Sequence, residues 1–561
     1  MPVLSHSRRF SLLPFLLFLF LPLLAQCAGG ASSPPAPLSE VTLTPASPPS
    51  SSQTDLPPGA EPVRAPQLRQ TLAGGEEGWL SSPAVADLDG DGKMEIIAAR
   101  DGLLFVWHAD GTLFWKATHG LAAQPSPTHV SGRIWGPPVV VDLDGDGRPE
   151  IAVGSHQETL TVWNGDGTLK AGWPKVLGSD SESGNREIRA LAAGLLENGK
   201  MGLLAARTRQ TKVPVAFLFD AKGVLFPGWP QLSALGGCLL LPALNADCFE
   251  AGTYNQNVGI ADLDGDGKND LLISYDNAYI GAYHADGGPL GTSFSARPFF
   301  PGVPGFHDPA LAAQGWGPDG ADRSEFTDSP PVVADLNGDG TRALILVGDH
   351  ERAGITTILG NSLFVFKKDA TRFPGFERPF ETRRYHSPLI TDDPAGTNIV
   401  DVEPAPAVAD LDGDGKKEIV FPAYDGVLYA VHPDGTLFWQ YSFADAGTRF
   451  ATEPVIADLN HDGIPEILFA TYETTPGKGA LVVLSHSGAE LAKVPLPGRG
   501  AMAAPTVADL DGDGELEILI NLKDTTSDGG LQIYTVPGSK TNLLPWPTAR
   551  GNFLRNGDAT R

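Results

Sequence analysis

One nine-residue pattern recurs along this chain, and it constrains the fold more than any other feature. Its clearest copies are ADLDGDGKMEIIAA from Ala86, ADLDGDGKKEIVFP from Ala409 and ADLDGDGELEILIN from Ala508. Further copies begin at Asp142, Asp262, Asp335 and Asp458, and a weaker one at Gly194 lies within AAGLLENGKMGLLAAR. Recurrence every ~50 to 75 residues marks an array of like units, a propeller or a solenoid, in which each unit buries its apolar face against the next.

The residues around each copy describe the unit. Pro83 to Ala86 is a short extended run, and Glu95 to Ala99 is a second, apolar enough to be buried on both faces. Asp101-Gly102 turns the chain into a third run from Leu103 to His108, and Asp110-Gly111 turns it into a fourth from Thr112 to Trp115. Asp425-Gly426 and Asp434-Gly435 repeat both turns, and the high usage of turn formers, 66 Gly and 49 Pro, agrees with many short strands. The expected fold is all-β, a β-propeller of four-stranded blades, with eight units counted and seven blades as the alternative. A linear solenoid would need polar caps, which the sequence does not offer.

Within the repeat, Asp87, Asp89 and Asp91 stand at alternate positions, Gly92 permits a sharp turn, Lys93 offers a backbone carbonyl and Glu95 closes the set. Hard oxygen donors in that number suit Ca²⁺. Without a cation, the converging carboxylates would repel one another and some would protonate. An EF-hand is excluded, because its twelfth loop position is a bidentate Glu, whereas here it is Ala98, Val153, Ile273, Leu346, Phe421, Phe469 or Ile520.

These residues resemble the FG-GAP or VCBS repeat family, best known from the propellers of integrin α subunits. The resemblance implies a calcium loop between the first two strands of a blade, with ligands at positions one, three, five and nine and the carbonyl of seven. Carried over, the sets are Asp87, Asp89, Asp91, Lys93 and Glu95; Asp142, Asp144, Asp146, Arg148 and Glu150; and Asp262, Asp264, Asp266, Lys268 and Asp270. Three more are Asp410, Asp412, Asp414, Lys416 and Glu418; Asp458, Asn460, Asp462, Ile464 and Glu466; and Asp509, Asp511, Asp513, Glu515 and Glu517. The set Asp335, Asn337 and Asp339 is partial, since Ala343 stands at position nine, and the loop at Gly194, with Leu196, Asn198 and Gly202, lacks the ligands. The cofactor implied is Ca²⁺ at six complete sites and one partial site.

Residues 1–27 read as an export signal: Arg8 and Arg9, an apolar run from Leu12 to Ala25, then Cys27 in a lipobox-like Leu24-Ala25-Gln26-Cys27, whose Gln26 departs from the usual small residue. Either Cys27 is lipidated or the chain is cleaved near Ala28 to Ala31 and released. Ser7-Arg8-Arg9 faintly echoes a twin-arginine signal, although the Leu/Phe-rich core suits general secretion. The expectation is therefore a bacterial-type surface lipoprotein, otherwise a secreted or periplasmic protein. Residues 28–66, rich in Ser, Pro and Ala, form a tether, and residues 67–561 the propeller. Cys238 and Cys248 suggest a local disulfide, with two buried thiols as the alternative.

A formal charge of −27 argues against nucleic acid as a partner and against a bare anionic bilayer, leaving membrane contact to a lipid anchor. Insertions at 231–256, 287–329 and 369–403 should crowd the face opposite the acidic loops, where Phe299, Phe300, Phe306, His307, Trp316, Arg383, Arg384 and Tyr385 suit a protein or glycan ligand; equally, they could simply cover that face. The acidic loops and the Asp-Gly hairpins are expected to share the other face. His108, His284 and His432 recur at the end of the third strand, where a repeated turn position accounts for them, and no nucleophile elbow or His-x-x-x-His pair is present. The C-terminal Trp546 to Asn552 is expected to pack across the final blade. A calcium-binding surface module for binding, adhesion or scaffolding is thus favoured over an enzyme, with a calcium-dependent polysaccharide lyase or glycoside-cleaving enzyme as the competing reading.

Overall fold

In a computed structural model, the residues described are 62–118, 133–232, 256–290, 322–382, 387–388 and 405–560, with Thr253 and apart from short breaks within these ranges. All belong to one compact unit, 48–561. They form eight small antiparallel sheets arranged in a ring, an eight-bladed β-propeller.

Blade 1 shows how the repeat builds a sheet. Ala84–Ala86, Glu95–Arg100, Leu103–Trp107 and Leu113–Ala117 pair in that order, innermost to outermost. The second strand is buried along its whole length because blades flank it on both sides. Blades 2, 3 and 6 repeat this order, beginning at Val139, Ile188 and Ala407, and the four strands of blade 7 are joined by a fifth short one, Phe450–Ala451. Three strands are described in blade 4, from Val258 to Tyr283, while blade 5 is enlarged by the long hairpin Arg342–Arg352 and Ile355–Phe366.

Repeated tryptophans tie neighbouring blades together. The indole N–H groups of Trp115, Trp173, Trp229 and Trp439, all in or beside fourth strands, donate to carbonyls in the next blade: Gly165 (2.8 Å), Ala221 (3.1 Å), Ala285 (3.0 Å) and His486 (2.8 Å). Each indole thereby buries a large apolar surface and satisfies its one donor.

Closure uses a strand that the repeat does not announce. The outermost strand of blade 8 is Gln67–Leu72, which pairs with Gly529–Val536 at the other end of the sequence (Gln67 opposite Thr535, Leu72 opposite Leu531). A first strand completing the last sheet leaves no gap in the ring.

The C-terminal segment departs from expectation. It touches blade 8, through Val507 N–H to Pro547 O (2.8 Å), but continues past the inner strands of the whole ring. Ile456 and Trp546 exchange backbone hydrogen bonds in blade 7, Arg555 donates to Pro83 O (2.9 Å) in blade 1, and Phe553, Leu554, Asn556 and Gly557 accept from Val140, Ala193, Ile260 and Val333. Asp558–Ala559 then lies parallel to Val333–Ala334, and Lys417 of blade 6 donates to Ala559 O (2.6 Å). Inner strands of a closed ring leave backbone donors facing the axis, and this segment satisfies them. Arg550 and Arg555 are wholly buried there among carbonyl oxygens.

Candidate metal centres

Each acidic loop is shaped by its own backbone. In blade 1 the Asp87 carboxylate accepts from Gly90 N–H (2.7 Å) and Gly92 N–H (3.0 Å), Asp89 from Asp91 N–H (3.1 Å) and Asp91 from Lys93 N–H (2.8 Å). Gly90 and Gly92 have φ of 81° and 85°, where a side chain would be strained although space is open. Leu88, at position two, is buried and pins the loop to the core, while its N–H donates to Glu95 Oε2 (2.7 Å). The second oxygen of Glu95, Oε1, lies 3.1 Å from His108 Nδ1.

The same geometry recurs with little variation. Asp142, Asp262, Asp410 and Asp509 each accept from the fourth- and sixth-position glycines, and Asp458 from Asp462 and Gly463. Position-nine acids accept from the buried leucine: Glu150 from Leu143, Asp270 from Leu263, Glu418 from Leu411, Glu466 from Leu459 and Glu517 from Leu510. N–H groups of Arg148, Lys268, Lys416, Ile464 and Glu515 bond the position-five carboxylates, as Lys93 does. Carboxylate oxygens thus converge, with Asp87, Asp89 and Asp91, or Asp142, Asp144 and Glu150, or Asp262, Asp264 and Asp270 lying within 4.8 Å of one another.

Burial strains this arrangement electrostatically. Desolvation first, and then the charges of Asp264 and Asp262, push Asp270 up to about 8; desolvation with Asp462 and Asp458 pushes Glu466 up to about 9. Glu517 rises to about 7 for the same reasons, and burial raises Glu95, Glu150 and Glu418 as well. Buried carboxylates this close cannot all ionise without a compensating cation, and a donor set made mostly of carboxylate oxygens fits a hard metal ion.

The histidines sit nearer to this chemistry than a turn position requires. His108 Nδ1 lies 3.1 Å from Glu95 and 3.8 Å from Asp89, His432 Nδ1 3.1 Å from Glu418 and His284 Nδ1 3.3 Å from Asp270. They lie cross-strand from the position-nine acid, one residue beyond pairs such as Ile96–Trp107. Sequence spacing alone did not expose that adjacency, because it depends on strand register.

Two loops differ from the complete sets. In blade 5, Arg342 stands 3.6 Å from Asp335, beside Ala343 where the others have an acid. In blade 3, Ile188–Leu195 passes into Met201–Arg207 through a short turn in which Leu196 N–H bonds Lys200 O (2.9 Å).

The faces divide differently from expectation in one respect. The Asp110-Gly111 turn shares the face of the acidic loop, as His108 demonstrates. The Asp101-Gly102 hairpin lies on the opposite face, where Asp101 N–H bonds Glu77 O (2.9 Å) and Asp101 O accepts from Ile134 (2.6 Å). Antiparallel alternation requires this: turns after strands one and three share one edge of a sheet, and the turn after strand two has the other.

That opposite face has its own cluster around the axis. Trp79 and Trp135 meet with ring centroids 4.0 Å apart, Arg133 lies over both rings, Arg189 over Trp135 and Lys523 over Trp79. Glu187 receives Arg133 (3.3 Å), Arg189 (2.5 Å) and the Trp135 indole (2.9 Å), and Glu77 receives Lys523 (3.0 Å) and Arg499 (2.6 Å). The insertion residues Phe299, Phe300, Phe306, His307, Trp316, Arg383, Arg384 and Tyr385 lie outside the described residues, as do Cys27, Cys238 and Cys248.

A closed ring of four-stranded blades, most bearing an acidic loop that could hold a metal, defines a propeller of the metal-loop class. The chain carries FG-GAP-type repeats: the FG-GAP-like repeat profile matches residues 87–153, 410–469 and 458–520, and the FG-GAP repeat profile residues 138–169. Among curated proteins, the rhamnogalacturonan endolyase YesW of Bacillus subtilis (strain 168) is 26% identical over 241 residues, 34% of this chain and 36% of its own. The rhamnogalacturonan exolyase YesX of the same organism is 28% identical over 240 residues, 34% of this chain and 37% of its own. This chain spans little more than a third of the length of these relatives. Among solved structures, BamB from Moraxella catarrhalis aligns with 15% identity at a TM-score of 0.43, over 86% of this chain and 99% of that one.

Proposed function

We propose that this protein is an exported calcium-binding propeller that presents its opposite, insertion-bearing face to a protein or glycan ligand, as a binding, adhesion or scaffold module. The observation that carries the calcium reading is the convergence of buried carboxylates whose protonation burial favours, at Asp270 and Glu466 above all. A cation held by the positions carried over from the FG-GAP pattern relieves that repulsion and fixes the loop. Calcium supplies charge and coordination; the chain supplies the turn, through its glycines, and the anchor, through the buried leucines. Equilibrium dialysis against calcium tests this, and a protein that takes up none would refute it.

Export and anchoring rest on the N-terminal sequence. Replacing Cys27 with Ser should abolish lipid labelling and membrane fractionation; unchanged behaviour would remove the anchor. For the ligand, a glycan and surface-protein screen with and without calcium is the test.

A second reading, cleavage of an acidic polysaccharide, is favoured by the similarity to YesW and YesX and by the cations and tryptophans gathered near the axis opposite the acidic loops. Because residues 546–559 circle the axis and Arg550 spans it, bonding Glu453 on one side and Val258 O on the other, a glycan would engage the surface at the end of the ring rather than a channel through it. Incubation with rhamnogalacturonan and assay for unsaturated products separates the two readings.

A further inference from the structure

The complete acidic loops do not all stand in the same relation to a cation, and one position in each blade decides the difference. Where the fourth strand begins, its register slips by one residue: between Leu113 and Trp115 in blade 1, Leu437 and Trp439 in blade 6, Glu490 and Ala492 in blade 7, and Leu68 and Gln70 in blade 8. The extra residue is apolar in three of these, Phe114, Phe438 and Leu491. In blades 1 and 6 its ring packs against the loop histidine, at 4.5 Å between centroids for both His108–Phe114 and His432–Phe438. In blade 8 the extra residue is Arg69, and in blade 2 the corresponding residue after the Trp163–Leu169 bridge is Lys170.

These two side chains reach into the acidic loop of their own blade. Lys170 Nζ lies 2.5 Å from Asp144 and 2.9 Å from Glu150, so it bridges positions three and nine, and only 9% of the side chain is exposed. Arg69 makes the corresponding pair, 3.1 Å to Asp511 and 3.2 Å to Glu517. No histidine stands cross-strand from the acid in these blades; the paired residues are Asn164 and Thr535. In blade 7, by contrast, no basic side chain comes within ion-pair distance of Glu466 among the described residues, and Leu491 occupies the strand position.

We infer that Lys170 in blade 2 and Arg69 in blade 8 are resident cations that take the place of a metal ion in their loops, leaving calcium to blades whose fourth strand supplies no charge. A bridging ammonium or guanidinium occupies the space between positions three and nine that a metal needs, and it sets a positive charge against both carboxylates. The Lys170–Glu150 pair, buried with its hydrogen bond made, is costly to break from one side. The inference rests on the calcium reading but alters its count: of the six complete sets, two carry their own cation.

Native mass spectrometry in calcium distinguishes the possibilities. Lys170→Met keeps the aliphatic stem and should bind one more calcium than the wild type, Arg69→Met likewise, and the double variant two more. Leu491→Lys should bind one fewer, because it gives blade 7 the ammonium that blade 2 already has. Unchanged counts in all of these variants, with a calcium-binding wild type, would overturn the inference while leaving the calcium reading intact. A wild type that binds no calcium would overturn the reading beneath it. Hydrogen exchange of the wild type needs no variant to fold: on chelation, amides of residues 410–418 should lose protection while those of 142–150 keep theirs. Equal loss in both loops would overturn the inference.

Discussion

The two faces of the ring meet one problem, a buried carboxylate, in opposite ways. On the face away from the acidic loops, Glu187 is desolvated, which raises it, yet Arg189 and Arg133 outweigh burial and hold it below the usual carboxylate range. Glu158 there is paired with Arg207 at 3.1 Å and Glu77 with Lys523 at 3.0 Å. On the loop face, desolvation pushes Asp270 up to about 8 and Glu466 up to about 9, and the nearby charges of Asp264 and Asp262, or Asp462 and Asp458, add to it rather than offset it. One face carries its counter-ions in the chain; on most of the other, the calcium proposed above would supply them. Stability should therefore depend on calcium through one face only.

Breaking the self-sufficient face should have the largest effect. Glu187→Ala removes the carboxylate shared by two buried guanidiniums, and losing one partner of a buried pair costs about 3–5 kcal/mol. Denaturant unfolding should show that loss equally in calcium and in chelator; a loss confined to calcium-loaded protein would collapse the distinction between the faces. Asp412→Ala on the loop face should cost less. A site with a dissociation constant of about 10⁻⁴ M that binds only the folded state contributes about 1.4 kcal/mol at roughly 1 mM calcium. That decrement should vanish in chelator, and its persistence there would mean that Asp412 acts through the turn alone. Asn337→Ala in blade 5 should be smallest, within about 0.5 kcal/mol in either condition, since its loop is exposed and lacks the ninth-position acid.

The loop face was the legible one. Asp, Gly and Glu at fixed spacing, followed by an apolar run, report a nine-residue turn and a buried strand because every contact that shapes them is local, as in Gly90 to Asp87 and Leu88 to Glu95. What escaped is non-local. Gln67–Leu72 carries no mark of its pairing with Gly529–Val536, and the segment from Trp546 to Ala559 meets six blades through backbone hydrogen bonds that have no side-chain signature, and blades 1 and 6 through the side chains of Arg555 and Lys417. The histidines and Lys170 were visible as residues but not as neighbours of the acids, because that depends on strand register and on a one-residue slip at the start of the fourth strand. Ion pairs such as Glu187 with Arg133 join residues of different blades, and spacing does not predict them.

The claim that calcium holds the loop face together is tested most directly by thermal unfolding of protein shown to be calcium-loaded, before and after chelation. Four or so increments of about 1.4 kcal/mol amount to about 6 kcal/mol, comparable with the usual 5–15 kcal/mol of net stability. The melting temperature should therefore fall steeply on chelation and recover when calcium is restored. A melting curve unchanged by chelation would contradict the account and leave the acidic loops as turns.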